Sequence, residues 1–253
     1  MKKIIIANWK MHPDTPEEAT ALAANIEREL PSLSGVDVVI APPFPFLTPI
    51  AGVLKKCLLG AQDVAGDDDA ALTGGVSWRI LLSLGVRYVI VGHSERRIRL
   101  GETDEAISQK VRTALARGMS PILCVGEREY AGGDIPAAVS AQVQSALAGV
   151  KKESLKSIIV AYEPAWAISA SSGAARADTP ERMFRARLTI EKAIATSFDV
   201  SAAKKIRIIY GGSVTPENIA GIMSVGHMDG VLVGGASLDA QEFREIARRV
   251  MEA

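Results

Sequence analysis

Cysteine, histidine and aromatic residues are scarce in this chain of 253 residues, and their positions exclude several classes of site. The two cysteines, Cys57 and Cys124, lie within apolar runs and lack the spacing of a metal site or a redox pair. We therefore expect buried free thiols in a reducing compartment, which predicts a cytoplasmic location. The three histidines, at positions 12, 93 and 227, also lack the spacing of metal ligands, so no metal is expected.

Net charge and long apolar runs are missing as well. The 29 Lys and Arg residues balance the 29 Asp and Glu residues, so no overall field attracts nucleic acid or an anionic membrane. No apolar run approaches the ~18–20 residues of a membrane-spanning helix, and no charged and then apolar leader follows Met1. Neither a membrane nor a nucleic acid is therefore an expected partner.

The chain does contain a recurring alternation of apolar runs and amphipathic segments. The apolar runs have the length and composition of strands buried on both faces. They span Lys3–Asn8, Val36–Ala41, Leu58–Gln62, Tyr88–Gly92, Pro121–Gly126, Ser157–Tyr162, Ile206–Tyr210 and Gly230–Gly234. Each unit is then about 32 residues long, which is the size of one strand plus one helix.

Signals for the start of helices fall between these runs. The order Thr-Pro-Glu, which offers an N-cap, a proline at the first helical position and an acidic first turn, begins at Thr15, Thr179 and Thr215. Thr103 opens another predicted helix, which ends near Gly118. Further helices are predicted over Asp134–Leu147 and Asp239–Met251.

No linker, low-complexity tract or shift in charge divides the chain. A succession of eight β-then-α units predicts an α/β fold, a single closed (β/α)8 barrel over residues 1–253. A doubly wound open sheet is the alternative. Such sheets usually carry a glycine-rich dinucleotide loop after the first strand, and Ala7-Asn8-Trp9-Lys10 contains no glycine.

Polar residues follow several of these strands, where a (β/α)8 barrel carries its active site. Glu163 ends the sixth strand, and Pro164 then turns the chain outward. A carboxylate at that position is costly unless it is solvated, paired or functional, and a salt bridge is its ordinary role. The other polar or glycine residues at strand ends are Asn8, Lys10, His93, Ser94, Glu95, Gly211, Gly212, Ser213, Gly234 and Gly235.

Taken singly, these residues are weak signals. A loop lysine such as Lys10 is usually solvated, a lone His93 is often a core residue, and glycine pairs usually mark turns. After the seventh and eighth strands, however, glycine loops are where barrels bind phosphate. A helix N-terminus beside His93 would lower its pKa and keep it neutral. A base, a neutral acid, a cation and a phosphate loop together predict proton abstraction next to a carbonyl in a small phosphorylated substrate.

Seven ordered segments resemble the triosephosphate isomerase family, and together they cover the whole chain. They are Ala7-Asn8-Trp9-Lys10-Met11, Gly92-His93-Ser94-Glu95-Arg96-Arg97, Gly101-Glu102-Thr103, Cys124-Val125-Gly126-Glu127, Ala161-Tyr162-Glu163-Pro164, Tyr210-Gly211-Gly212-Ser213-Val214 and Val233-Gly234-Gly235-Ala236-Ser237-Leu238. The resemblance implies a TIM barrel that interconverts D-glyceraldehyde 3-phosphate and dihydroxyacetone phosphate, in glycolysis and gluconeogenesis, with no cofactor and no metal.

The resemblance also implies a role for each matching residue. Glu163 would carry the proton between neighbouring carbons, neutral His93 would polarise the oxygens, and Lys10 would stabilise the negative charge. Asn8 would help to place the substrate. The residues that would support these groups are Ser94, Glu95, which would hold Lys10, and Cys124. The residues that would bind the phosphate, together with Asn8 and Lys10, are Ser169, Ser213, Gly234 and Gly235.

A lid over the active site is implied too, beginning at Pro164 and Trp166 and continuing through Ser169 and Gly173. The family's usual segment, Trp-Ala-Ile-Gly-Thr-Gly-Lys-Thr-Ala, is four residues shorter than the segment found here between Trp166 and the following Thr-Pro-Glu. Ser169 stands where the family's glycine offers its N–H to the phosphate. We expect the lid still to close, with a changed second hinge at residues 173–177.

A homodimer is the last implied feature, with the loop around Val64–Val76 of each subunit reaching into its partner. Thr73-Gly74 is the recognisable part of this loop. Two residues depart from the family near the expected interface. His12 stands where Asn commonly follows Lys-Met, and Gly75 replaces an acidic residue.

Two other functions remain as alternatives to an active isomerase. The altered lid would suit a barrel that binds a phosphorylated ligand and has lost turnover, although the matching residues at all four catalytic positions argue against that loss. A barrel enzyme for another phosphorylated substrate is the third hypothesis. It is disfavoured because such barrels do not resemble the Asn8-Trp9-Lys10 arrangement.

Overall fold

The eight predicted strands form a closed barrel in which every neighbouring pair is parallel. The structure is a computed structural model, and it describes residues 1–30, 33–66, 71–168 and 178–253. The strands are β1 (Lys3–Asn8), β2 (Val36–Ala41), β3 (Leu58–Ala61), β4 (Tyr88–Val91), β5 (Ser120–Val125), β6 (Ile159–Tyr162), β7 (Arg207–Tyr210) and β8 (Gly230–Val233). The predicted (β/α)8 TIM barrel is thereby confirmed.

Helices follow the strands around the outside of this barrel. Within the described residues the α-helices are α1 (Pro16–Glu29), α2 (Leu47–Ala51), α3 (Trp78–Ser83), α4 (Ser94–Arg99), α5 (Asp104–Ala116), α6 (Ala137–Ala146), α7 (Pro180–Ser197), α8 (Val200–Ala203), α9 (Ile219–Ser224) and α10 (Ala240–Glu252). Short 3-10 turns cover Phe44–Phe46, Lys152–Ser157, Ala165–Ala167 and Gly235–Leu238. No helix in this part of the chain is both long and apolar enough to cross a membrane.

Threonine caps begin three of the helices, as the sequence predicts. The hydroxyls of Thr15, Thr103 and Thr179 each accept a backbone N–H three residues further on, at 3.2–3.3 Å. Such a bond satisfies an N–H group that the first turn of a helix leaves without a partner.

Two predicted helix starts are wrong, each for a local reason. The helix expected from Thr215 begins only at Ile219. Asn218 holds the preceding turn, because its Oδ1 accepts the N–H of Thr215 at 3.0 Å and its Nδ2 donates to the carbonyl of Ser213 at 2.9 Å. The helix expected from Asp134 begins after Pro136, since a residue before proline is disfavoured in helical geometry.

The core has two layers because side chains of a strand alternate between its faces. The inner layer fills the barrel, and its buried members are Ile4, Ile6, Val39, Ala41, Ile90, Ile122, Cys124, Ile159, Ala161, Ile209 and Leu232. A larger layer packs between the strands and the helices. Since all strands run the same way, their C-terminal ends meet at one rim, and the polar residues that follow them meet there as well.

Closure of the barrel depends on a close approach at Gly230. This first residue of β8 pairs with Ile4 of β1, and a Cβ on Gly230 would lie 1.8 Å from the carbonyl oxygen of Ile4. Its φ of +156° is also a conformation that residues with side chains rarely adopt. Replacement of this glycine would therefore force β1 and β8 apart.

We expect Gly230→Ala to lower the free energy of unfolding by about 2–4 kcal/mol, measured by urea denaturation. Gly52→Ala is the matched control, because Gly52 has a φ of −72° and its nearest added contact would be an ordinary 3.6 Å. The urea concentration at the unfolding midpoint of the control should equal that of the wild type or lie slightly above it. An unchanged unfolding midpoint for Gly230→Ala would contradict the requirement for close contact.

Candidate active site

A cavity of about 400 Å³ opens at the C-terminal rim of the barrel. It brings together residues that follow strands β1, β4, β6, β7 and β8. The sequence-predicted residues that line it are Asn8, Lys10, His93, Glu163, Ser213, Gly234 and Gly235. Apolar walls are supplied in part by Ile168 and Leu232, to which the sequence analysis gave no role. A small, mostly enclosed substrate with one charged end suits such a site.

The carboxylate of Glu163 is the most buried charged group in this cavity, with 2% of the residue exposed. Its Oε1 lies 2.7 Å from Nε2 of His93, and its Oε2 accepts the backbone N–H of Ser94 at 2.9 Å. Ser94 is the first residue of α4, so the carboxylate also meets the positive end of that helix. These partners compensate for the burial of the charge.

The backbone of Glu163 is fixed by the neighbouring strand. Its N–H donates to the carbonyl of Val125 at 2.7 Å, and a Cβ on Gly126 would lie 2.1 Å from the carbonyl oxygen of Glu163. Gly126 is thus needed so that the ends of β5 and β6 can pass each other closely. The sequence analysis gave Gly126 no role, because a glycine after a strand is an ordinary turn signal.

His93 experiences opposing influences on its protonation. Burial is the largest influence and lowers its pKa, but the charge and hydrogen bond of Glu163 together with the charge of Glu95 outweigh burial, and the pKa is raised. Its Nδ1 accepts the backbone N–H of Glu95 at 3.3 Å, which requires an Nδ1 without a proton. That hydrogen bond favours the neutral ring with its proton on Nε2. The neutral His93 expected from the sequence therefore depends on where the carboxylate of Glu163 lies.

Lys10 enters the cavity from a strained backbone position. Its φ is +53°, which is uncommon for a residue with a side chain. The turn is held because the N–H of Lys10 donates to Asn8 Oδ1 at 3.1 Å and its carbonyl accepts from Gln62 at 2.8 Å. Its ammonium donates to Glu95 Oε1 at 2.7 Å, the contact that the sequence analysis expects. Although burial raises the pKa of Glu95, Lys10 holds it below its usual range.

Cys124 lies beneath the carboxylate of Glu163, inside the barrel. Burial raises the pKa of this thiol well above its usual range, and the negative charge of Glu163 raises it further. The thiol therefore stays protonated beside the Glu163 carboxylate.

The two glycine loops line the same cavity as Lys10. A Cβ on Gly234 would lie 3.7 Å from Lys10 Cε, while the space around Gly235 is open. In the other loop, the N–H of Ser213 donates to the carbonyl of Ala167 at 3.0 Å, and Asn218 holds the carbonyl of Ser213. The loop after β8 therefore lies beside the side chain of Lys10.

Of the four predicted lid residues, Pro164 and Trp166 lie in the described part of the chain. The indole N–H of Trp166 donates to Glu127 Oε1 at 2.8 Å, and the N–H of Ala165 donates to the carbonyl of Glu127 at 3.0 Å. The chain that leaves Glu163 is therefore attached to the end of β5. Ser169 and Gly173 lie outside the described residues.

Within residues 1–30, 33–66, 71–168 and 178–253, no group of three or more His, Cys, Asp or Glu side chains has the arrangement of a metal site.

Comparison with known proteins gives the same family throughout. The family model of triosephosphate isomerase matches residues 3–250. The chain belongs to the triosephosphate isomerase family. The triosephosphate isomerase of Symbiobacterium thermophilum is 43% identical over 254 residues, covering 99% of this chain and 97% of the relative. That of Thermus thermophilus is 41% identical over 255 residues, covering 98% and 99%. Membership of the triosephosphate isomerase family, expected from seven segments, is confirmed.

We expect Glu163→Gln to lower the pKa of His93, because the substitution removes the charge that opposes the effect of burial. Nitrogen-15 NMR of the imidazole against pH measures this change, and wild-type His93 should gain its second proton at the higher pH. Glu95→Gln, which removes a more distant negative charge, should lower this pKa less. Identical titration of His93 in wild type and Glu163→Gln would contradict the assignment.

Proposed function

We propose that the chain interconverts D-glyceraldehyde 3-phosphate and dihydroxyacetone phosphate by proton transfer through an enediolate. The contact between Glu163 and His93, in a cavity that also holds Lys10, carries this proposal. A base beside a hydrogen-bond donor is the pair needed to remove a proton next to a carbonyl. We propose that residues 1–253 act as one catalytic domain and, because Cys57 and Cys124 are buried free thiols, that the protein is cytoplasmic.

Glu163 acts as the base. It leaves His93 and Ser94, takes the proton from the carbon beside the carbonyl and returns it to the neighbouring carbon. The hydroxyl proton meanwhile passes from the oxygen that becomes the carbonyl to the oxygen that becomes the hydroxyl. The Nε2–H of His93 then points at the two substrate oxygens and stabilises the negative charge that develops there. The ammonium of Lys10 adds a fixed positive charge, and Asn8 keeps the Lys10 turn in place.

The phosphate binds between the two glycine loops, where Gly234 and Gly235 offer backbone N–H groups and Ser213, whose own N–H donates to Ala167, offers its side-chain hydroxyl. The rim at this point also carries the Lys10 ammonium, so the phosphate and the enediolate share one cation. Ser169 would add a further N–H, as the resemblance implies, from outside the described residues.

We expect purified protein to isomerise glyceraldehyde 3-phosphate, and we expect Glu163→Gln to lower kcat by about 10²–10⁴-fold, the usual contribution of a general base. A coupled assay that consumes dihydroxyacetone phosphate measures the rate. Glu153→Gln, an exposed carboxylate on the far side of β6, is the control and should retain wild-type kcat.

Thermal unfolding with a small phosphate anion that mimics the enediolate separates the alternatives. Stabilisation of about 2.7 kcal/mol is expected when the ligand stands at a hundred times its Kd. Stabilisation without any turnover would favour a binding barrel. If the protein shows no turnover and the anion does not stabilise it, a barrel enzyme for a different substrate is favoured.

We also propose a homodimer. Several large apolar side chains in the segments that follow β1, β3 and β4 are exposed. They are Met11, Leu72, Ile98 and Leu100. A groove between the loops after β1 and β2, lined by Met11, Phe44 and Phe46 among others, would accept the Val64–Val76 loop of a second copy. An apolar groove beside exposed apolar side chains is typical of an interface.

We expect a mass of twice 26.8 kDa in sedimentation equilibrium and expect Met11→Glu to shift it toward the single-chain mass. Met11 is 86% exposed in the single chain, so the charge would cost little unless a partner covers it. Val200→Glu is the matched control, since Val200 is 63% exposed and precedes β7 at the opposite end of the barrel. A wild-type protein with the single-chain mass would contradict the dimer.

A further inference from the structure

The connection from β6 to α7 leaves the barrel directly after Glu163. Its two described ends are Pro164–Ile168 and Asp178–Thr179. Any displacement of the first end would displace the base, because only two residues separate Glu163 from Trp166. The contacts that hold these two ends therefore affect the position of the Glu163 carboxylate.

Arg182, in the first turn of α7, is almost completely buried beside both ends. Its Nη2 donates to Glu127 Oε1 at 2.6 Å, and its Nη1 donates to the hydroxyl of Tyr162 at 2.5 Å. That hydroxyl in turn donates to Glu127 Oε1 at 3.0 Å. Arg182 and Glu127 are each about 4% exposed, so this is a buried ion pair with additional hydrogen bonds.

The same guanidinium joins the loop after β5 to this network. Its Nε donates to the carbonyl of Gly132 at 3.0 Å, and its Nη2 donates to the carbonyl of Asp134 at 3.2 Å. The planar fork of arginine can serve these carbonyls and the carboxylate together, because it offers five N–H groups in fixed directions.

Trp166 is held by the network on several sides. Its indole N–H donates to Glu127, the guanidinium carbon of Arg182 lies 5.0 Å from its ring centroid, and Tyr130 packs edge-on at 4.8 Å. A cation over the face of a tryptophan is an attractive contact. Trp166 thus depends on Arg182 both directly and through Glu127.

Asp178 places the second end beside the same guanidinium. Its Oδ2 lies 3.6 Å from Nη1 of Arg182, and its Oδ1 accepts the N–H of Thr179 at 2.9 Å. Burial raises the pKa of Asp178 to about 6, and Arg182 opposes this rise. Burial lowers the pKa of Arg182, but Tyr162 and the carboxylates of Glu127 and Asp178 outweigh burial, and the pKa is raised.

We propose that Arg182 is a positioning residue for the base Glu163. It fixes Glu127, which binds the side chain of Trp166 and the N–H of Ala165, and it holds Asp178 at the other end of the connection. The two described ends of this connection, Pro164–Ile168 and Asp178–Thr179, are in this way attached to one buried cation. Arg182 does not line the cavity, so it would act on the base through other residues. The inference rests on the proposed function, because its main readout is turnover.

We expect Arg182→Gln to lower kcat by about 10–100-fold and to change KM by less than about threefold, since a small misplacement of a base affects chemistry more than binding. Arg182→Lys keeps the charge without the planar fork and should recover part of kcat. Arg185→Gln is the matched control. Arg185 lies one turn along α7 and also donates to the loop after β5, at Gly133, but it does not contact Glu127. The kcat of the Arg185→Gln variant should stay within about twofold of the wild-type value.

Arg182→Gln leaves the carboxylate of Glu127 buried without its cation, which could prevent folding. The double variant Glu127→Gln with Arg182→Met removes both charges and should fold, with the same loss of kcat. If either folded variant keeps wild-type kcat, or if Arg185→Gln loses as much kcat as Arg182→Gln, the proposal is wrong.

Hydrogen exchange in the ligand-free protein gives a readout that needs no turnover. The N–H of Ala165, which donates to the carbonyl of Glu127, should exchange faster in Arg182→Gln and at the wild-type rate in Arg185→Gln. If the wild type is inactive but the N–H of Ala165 still exchanges faster in Arg182→Gln, the proposed function is wrong and the positioning role stands. An active wild type with unchanged exchange and unchanged kcat in Arg182→Gln would overturn the positioning role alone.

Discussion

The buried carboxylate of Glu163 is the constraint on which the rest of the site depends. A charge with so little access to water requires partners, and both of its oxygens have one, His93 Nε2 and the N–H of Ser94. Those partners come from β4 and α4, two units away along the chain. The barrel must therefore close with β4 and β6 on either side of β5, and the turn after β5 must be small enough for Glu163 to lie against it. Gly126 satisfies that requirement.

Lys10 adds a second constraint, because an unpaired cation in the same cavity would attract the carboxylate of Glu163 away from His93. Glu95 prevents this by binding the ammonium at 2.7 Å. The left-handed backbone at Lys10 costs of the order of 1–3 kcal/mol, and Asn8 and Gln62 offset it through hydrogen bonds to the same residue. The contacts of Glu163 with His93 and of Lys10 with Glu95 thus keep the carboxylate of Glu163 and the ammonium of Lys10 apart.

Much of this arrangement could be predicted from the sequence, because it follows from strand ends. Parallel strands place whatever follows them at one rim, so the convergence of Asn8, His93 and Glu163 needs only the order of the strands. Contacts between elements distant in sequence were not predictable in this way. The helical pattern around Arg182 indicates a position on α7, yet its partners Glu127 and Tyr162 lie 55 and 20 residues earlier. The start of α9 was predicted wrongly because the side chain of Asn218 binds both the N–H of Thr215 and the carbonyl of Ser213, which holds the residues before Ile219 in a turn.

The position of Glu163 and the charge of His93 are coupled, and this coupling would give the proposed reaction its order. While the carboxylate lies 2.7 Å from Nε2, it raises the pKa of His93. In the proposed reaction Glu163 moves to the substrate carbon, and that influence then weakens with distance, whereas burial of the imidazole and the N–H of Glu95 on Nδ1 remain. Both of these favour a neutral ring with its proton on Nε2. The proposed movement of the base would therefore also return His93 to the form that donates a hydrogen bond to the enediolate.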